Sequence, residues 1–371
     1  MEDNRNLYLL ALSLTKGLGP VTVKNLVAYC GSARAVLEAP ASKLKKAPGV
    51  GEQTVSLIRE SRHLQRAEAE LAYCEKQGVE ILNYLDPDYP DALKYIPDAP
   101  LILFKKGAVA LNAQPAIAIV GTRQATDYGK EMAATFAAYF AQRGLNVVSG
   151  MAYGIDIAAH RAALQAGGIS TAVLAHGLDM IYPGIHARKA EEMLARGGWL
   201  TEYLTGTQPD AVHFPARNRI VSGICRAVVV IEAAETGGAL ITARKAFEQN
   251  REVYALPGRV GDKYSEGCNL LIRENIARLA ISPDDILQDL QICWQPGRDQ
   301  REQLELALSA PDIPLSTEEA QVLNVLARGE ALIDQLAYHT GIPVHRLHSL
   351  LLSMEFKELL RQMPGKKFRK A

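Results

Sequence analysis

A chain of 371 residues with 48% hydrophobic content is long enough for two or three domains and a large buried core. Its 41 basic residues balance 41 acidic ones, so net charge announces no nucleic-acid partner and local charge must carry that argument. No apolar run reaches the ~18 residues of a membrane span, and MEDNRNLYLL lacks a basic region ahead of its apolar stretch, so a cytoplasmic protein with no membrane partner is expected.

Residues 1–70 read as short helices joined by glycine turns. Lys16-Gly17-Leu18-Gly19-Pro20 precedes a helical stretch from Val21 to Tyr29, and Ala47-Pro48-Gly49-Val50-Gly51 precedes Gln53 to Glu60. This repeated apolar-Gly-apolar-Gly turn fits a helix-hairpin-helix or SAM-like domain, whose turn amides meet a DNA phosphate without reading sequence. It fits equally a small bundle that uses those glycines only as caps. A helix from Leu64 to Gly78 leads into a strand over Val79 to Tyr84. The prolines of Asp86-Pro87-Asp88-Tyr89-Pro90 then force an extended turn, and Leu101 to Phe104 is a further strand.

From Ala116 strands and helices alternate. Strands are expected over Ala116 to Val120, Asn146 to Ser149, Ser170 to Leu174, Trp199 to Glu202, Ala227 to Ile231 and Glu252 to Ala255. Helices run from Asp127 to Arg143 and from Asp156 to Ala166. That alternation argues an α/β fold with a doubly wound, mostly parallel sheet over 71–290. Within it, His213 to Gly258 is the chemically richest stretch: an aromatic beside Arg217, Arg219 and Arg226, with no acid between Ala211 and Ile231. A buried strand follows, then Thr236-Gly237-Gly238 opens a helix. Strand, glycine turn and helix N-terminus together make a phosphate cradle, because the first-turn amides and the helix dipole point at the turn.

Residues 291–314 read as a linker, with two prolines between Ala310 and Pro314. Residues 315–371 give three helices, Thr317 to Ala327, Leu332 to Thr340 and Val344 to Glu355, then a small hairpin: a winged-helix outline. The third helix carries His345, Arg346 and His348 but also Glu355, so DNA-binding, protein-binding and structural roles all stay open. The tail Arg361 to Ala371 holds five basic residues and no acid. Cys30, Cys74, Cys225, Cys268 and Cys293 form no C-x-x-C pair and have no histidine at ligand spacing, so reduced thiols, no zinc site and no cofactor are expected.

The ordered motifs Gly121-Thr122-Arg123, Ser149-Gly150-Met151-Ala152-Tyr153-Gly154-Ile155-Asp156, Phe214-Pro215-Ala216-Arg217-Asn218-Arg219, Thr236-Gly237 with Thr242-Ala243, Leu256-Pro257-Gly258 and Glu266-Gly267-Cys268-Asn269-Leu270-Leu271-Ile272 resemble the DNA-processing protein A family (DprA, also called Smf). The resemblance spans about 80 to 290 and implies an extended Rossmann-like domain that binds single-stranded DNA. It further implies a non-enzymatic mediator that loads a RecA-type recombinase onto incoming DNA in natural transformation and displaces single-strand-binding protein. The DNA-binding set it suggests is Gly121, Thr122, Arg123, Ser149, Gly150, Ala152, Gly154, Phe214, Arg217, Asn218, Arg219, Thr236, Gly237 and Arg244.

The physical reading agrees. Ligands of an open parallel sheet sit beyond the carboxyl ends of its strands, where Arg123, Ser149-Gly150 and Thr236-Gly237 fall. Arg123 with Arg217 or Arg219 would neutralise phosphates, amides of Gly150 to Gly154 would receive them, and Phe214 would stack on a base. Arg219 also reads as a structural arginine paired with Glu232 or Glu202, Phe214 as core, and Asp156 as a helix-terminus acid or a partner for His160 or an arginine. Cys268 to Ala280 reads as a helix whose apolar spacing, Leu271 and Ile276 included, suggests the interface of a homodimer, to which the family's region contributes. The main rival is a nucleotide phosphoribohydrolase of the lysine-decarboxylase-like group. Its Pro-Gly-Gly-x-Gly-Thr is replaced here by Thr236-Gly237-Gly238-Ala239, and neither a G-x-G-x-x-G after a strand nor a Walker motif is found.

Overall fold

The computed structural model describes residues 5–60, 63–292, 316–326, 331–357, 359–363 and 367–370. It divides into two compact units, 1–294 and 295–371. In the first, β1 (Glu80–Asn83), β2 (Ile102–Lys106), β3 (Ala116–Val120), β4 (Asn146–Ser149), β5 (Ile169–Val173), β6 (Gly198–Thr201), β7 (Ala227–Val230), β8 (Glu252–Ala255) and β9 (Arg278–Leu279) build one sheet in the order β1-β2-β6-β5-β4-β3-β7-β8-β9. Neighbours from β6 across to β9 run parallel. The pairs β1-β2 and β2-β6 are antiparallel. Every residue of β3 and β7 is buried, which is why both read as unbroken apolar runs instead of alternating ones. The α/β, doubly wound, mostly parallel sheet expected from the sequence is therefore present.

Helices cover both faces. Asp127–Gln142 and Ile155–Gln165 pack on one side, where Ala133, Ala137, Ala141, Ala159 and Ala163 share a core with Ile117, Ile119 and Val229. Short alanine side chains let these helices approach the sheet closely. His213–Gly223 and Gly238–Glu248 pack on the other, around Ala118, Val120, Val228 and Val230. A third cluster joins Leu10, Leu12, Leu26 and Ala67 to Ile102, Phe104, Leu174 and Trp199. The helical segment expected as a domain over 1–70 thus shares apolar packing with the sheet and lies with it in one compact unit.

One element departs from its expected type. The helix expected over Cys268 to Ala280 is Glu266–Arg273; Asn275 then adopts a left-handed φ of 56°, and the chain turns into β9 beside β8. The amides of Ile276 and Ala277 bond back to the Leu271 carbonyl, closing the turn. Leu271 is fully buried in its own domain core and Ile276 packs half-buried against the same cluster, so the Leu271 side chain, expected at an interface, is enclosed within this chain instead of presented on its surface.

In the second unit, helices Thr317–Leu326, Ile333–Thr340 and Val344–Phe356 are followed by a hairpin of β11 (Leu360–Met363) and β12 (Lys367–Lys370), with β10 (Ala331–Leu332) on the far side of β12. Val322, Leu336, Leu347, Leu351 and Phe368 form its core. This is the winged-helix outline. The expected linker beyond Ile292, and Pro364–Lys366 and Ala371 of the basic tail, lie outside the described residues. Among the described residues no helix is long and apolar enough to cross a membrane.

Candidate nucleic-acid interface

Chain order runs β3 to β6 in one direction across the sheet and β7 to β9 in the other, so the switch point lies between β3 and β7. A crevice opens there, outside the carboxyl ends of the strands. It is a cleft of about 640 Å³ walled by the loops that follow β3, β4 and β7 and by the start of helix His213–Gly223. Gly121, Thr122, Arg123, Gly150, Ala152, Phe214, Arg217, Asn218 and Gly237 all line it. The sequence motifs, far apart along the chain, converge on one edge.

The loop carrying Arg123 is clamped from below. The Glu232 carboxylate, just past β7, accepts the Thr126 amide (2.9 Å) and hydroxyl (2.5 Å), while its carbonyl accepts the Thr122 amide (2.8 Å). Thr126 in turn caps the helix Asp127–Gln142 by accepting from the Gly129 amide. A Cβ on Gly129 would sit inside the Glu232 carboxylate, which explains glycine there. On this rigid base Arg123 is exposed, with its guanidinium 4.9 Å from the centre of the Phe214 ring. Phe214 is half-exposed and belongs to none of the apolar clusters among the described residues. A cation poised over a partly exposed ring in a cleft offers a phosphate contact beside an aromatic surface for a base.

Beneath them Arg217 is buried. Its Nη1 donates to the carbonyls of Gly150 (2.9 Å) and Val173, and its Nε to Asn218 Oδ1 (3.2 Å). Burial draws its pKa down to about 10, with Asp156 pulling it back up, so it stays charged at neutral pH. Gly150 must lack a side chain because a Cβ would stand 2.5 Å from that guanidinium. The amides of Gly150 and Ala152, expected to receive phosphate, are instead taken by Asp156 Oδ2 at 3.1 and 3.3 Å. Burial raises the Asp156 pKa, while Arg217 and those amides oppose the shift. Arg217 and Asp156 therefore set the cleft floor electrostatically more than they offer free contacts. The free anion-binding feature is the helix Gly238–Glu248: no side chain caps it, and Gly237, Gly238 and Ala239 at its N-terminus line the cleft.

Other expected residues lie elsewhere. Arg219 does not line the cleft; its Nη2 meets Glu202 Oε2 at 2.5 Å and its Nε lies 3.6 Å from Asp98, which settles its structural pairing on Glu202. Arg244 pairs with Glu274 at 2.8 Å and does not line the cleft. Ser149 is buried and donates to the Ile119 carbonyl (2.7 Å), clipping β4 to β3. Gly154, at φ 76°, lets its turn press against the Thr122 and Arg123 backbone, where a Cβ would collide, so it supports the Arg123 loop from behind. Thr236 is exposed beside Gly237 without lining the cleft. The residue that motif reading missed is Tyr182, 45% exposed, which lines the cleft with its ring 6.2 Å from that of Phe214. Its position in the loop beyond the carboxyl end of β5 was the available signal.

Residues 80–291 match the model of the DNA recombination-mediator protein A family, and residues 307–366 match the DprA winged helix domain. Protein Smf of Escherichia coli (strain K12) is 37% identical over 308 residues, covering 80% of this chain and 79% of that protein. The X-ray structure of DNA processing protein A from Streptococcus pneumoniae superposes with a TM-score of 0.64 at 34% identity, covering 76% of this chain and 97% of that one. DNA processing protein A from Helicobacter pylori, whose structure concerns its single-stranded DNA binding mode, gives a TM-score of 0.53 at 29% identity over 58% of this chain and 97% of that one. With the switch-point cleft built from its motifs and a winged-helix unit at its C-terminal end, the chain belongs to the DNA recombination-mediator protein A family of DNA-processing proteins.

Proposed function

We propose that the cleft binds single-stranded DNA, and that the protein is a non-enzymatic, cytoplasmic mediator loading a RecA-type recombinase onto that strand against single-strand-binding protein. The observation that carries the DNA reading is the exposed Arg123 guanidinium 4.9 Å from the centre of the partly buried Phe214 ring, in a cleft also lined by an uncapped helix N-terminus. Arg123 and the first-turn amides at Gly238-Ala239 take phosphates, and Phe214 and Tyr182 take base faces. Only unstacked bases present such faces, so a single strand fits and a duplex does not. The single-stranded DNA binding described for the Helicobacter pylori relative supports this reading. The test is titration with single- and double-stranded oligonucleotides at two salt concentrations. Tighter, salt-dependent binding of the single strand is expected; equal affinity for both forms counts against the proposal.

The mediator is proposed to work as a homodimer. With Leu271 inside the core, the surface that remains is the β9 edge, where Leu279 is 53% and Ile281 74% exposed. Two such edges related by a two-fold axis would bury these side chains and set two DNA clefts on one particle. Light scattering at micromolar concentration should give the mass of two chains, and a Leu279→Asp variant the mass of one. A concentration-independent monomer in the wild type removes the idea.

A further inference from the structure

A second cleft, of about 660 Å³, opens across the Gly121–Thr126 loop from the first, between the start of helix Asp127–Gln142 and the loop that follows β8. Tyr128, Arg259, Lys263 and Tyr264 line it. The Lys263 ammonium lies 5.3 Å from the centre of the Tyr264 ring, and Tyr128 is 55% exposed, so cations and aromatic faces are interleaved much as Arg123 and Phe214 are in the first cleft. Tyr264 Oη donates to Gln124 Oε1 at 2.5 Å, tying this loop to the residue next to Arg123. Arg259 and Lys263 are exposed, and neither makes a salt bridge among the described residues. The acids here are Glu232, whose two oxygens are taken up by Thr126, and Asp262 in the loop itself.

We infer that this second cleft is a continuation subsite for the same nucleic-acid strand: a single strand leaving the first cleft crosses the Gly121–Thr126 loop and is held by Arg259 and Lys263 through phosphates and by Tyr128 through a base. The inference rests on the single-strand reading of the first cleft. Both clefts open beyond the carboxyl ends of the parallel strands, so one strand reaches both without rounding the domain. The cleft lies at the surface between a helix start and an exposed loop, which suits an extended polyanion better than an enclosed small molecule.

The test uses the full chain and homothymidine oligonucleotides of about 5 and about 15 nucleotides, spanning the footprints typical of single-strand clefts. An Arg259→Ala/Lys263→Ala double variant alters only exposed loop side chains. It should bind the short oligonucleotide as the wild type does and the long one about ten-fold more weakly, with the log–log salt slope for the long strand flattened by about 1.4, the share of two phosphates. Tyr128→Ala should weaken the long strand alone and leave the slope unchanged. Wild-type affinity and slope for the long strand in the double variant would overturn the second cleft while leaving the first intact. Failure of the wild type to bind even the short oligonucleotide would instead overturn the single-strand reading and this inference with it.

Discussion

Replacing Arg217 by alanine should lower the unfolding free energy by about 3–5 kcal/mol, the range for stranding a buried polar or charged partner. The side chain is 4% exposed and satisfies two buried carbonyls, those of Gly150 and Val173, which would be left without this donor. Its charge also offsets the buried Asp156 carboxyl, whose ionised form would then lose the cation that opposes its raised pKa. The turn Gly150–Asp156 would lose the guanidinium that fills the space beside Gly150. Denaturant melts of Arg217→Ala and Arg123→Ala measured together check the assignment. Arg123, exposed and bonded to nothing but a ring face among the described residues, should leave the midpoint unchanged. An Arg217→Ala midpoint equal to the wild type's would mean that the arginine is a surface contact and that the cleft floor is drawn wrongly.

Phe214→Ala should weaken single-strand binding by about 1–3 kcal/mol, roughly five-fold to 150-fold, without changing the dependence on salt. Stacking on a base releases no counterion, whereas a phosphate contact does. The half-exposed ring packs against Arg123 and Tyr182 across the cleft mouth and not into an apolar cluster, so the melting midpoint should move little. A collapsed midpoint with retained affinity would make the ring structural and leave the cleft without its base-stacking face.

How far the sequence revealed this follows from the physics of each part. Buried parallel strands such as Ala116–Val120 and Ala227–Val230 are continuous apolar runs, and glycine turns mark the carboxyl ends where the motifs sit, so sheet and cleft were both legible. β9 was not, because two exposed residues, Arg278 and Leu279, carry no strand signature, and their spacing from Leu271 and Ile276 mimics a helix. Four residues of the Phe214–Arg219 and Ser149–Asp156 motifs, two arginines and two amides, were read too generously. Arg217 and Arg219 are two apart on one helix and so face different directions; one reaches the cleft floor and the other reaches Glu202. The amides of Gly150 and Ala152 were expected to be free, but an aspartate in the first turn of the next helix folds back onto them, a contact that spacing alone does not disclose.

The claim that phosphates are bound at the β3–β7 switch point is tested most directly by the salt dependence of single-strand binding in Arg123→Ala beside the wild type. One lost phosphate contact removes one set of condensed counterions, so the log–log slope should become shallower by about 0.7 while affinity falls and the fold is kept. A folded Arg123→Ala protein with the wild-type slope and affinity would contradict the account, because the strand would then be bound somewhere other than this cleft.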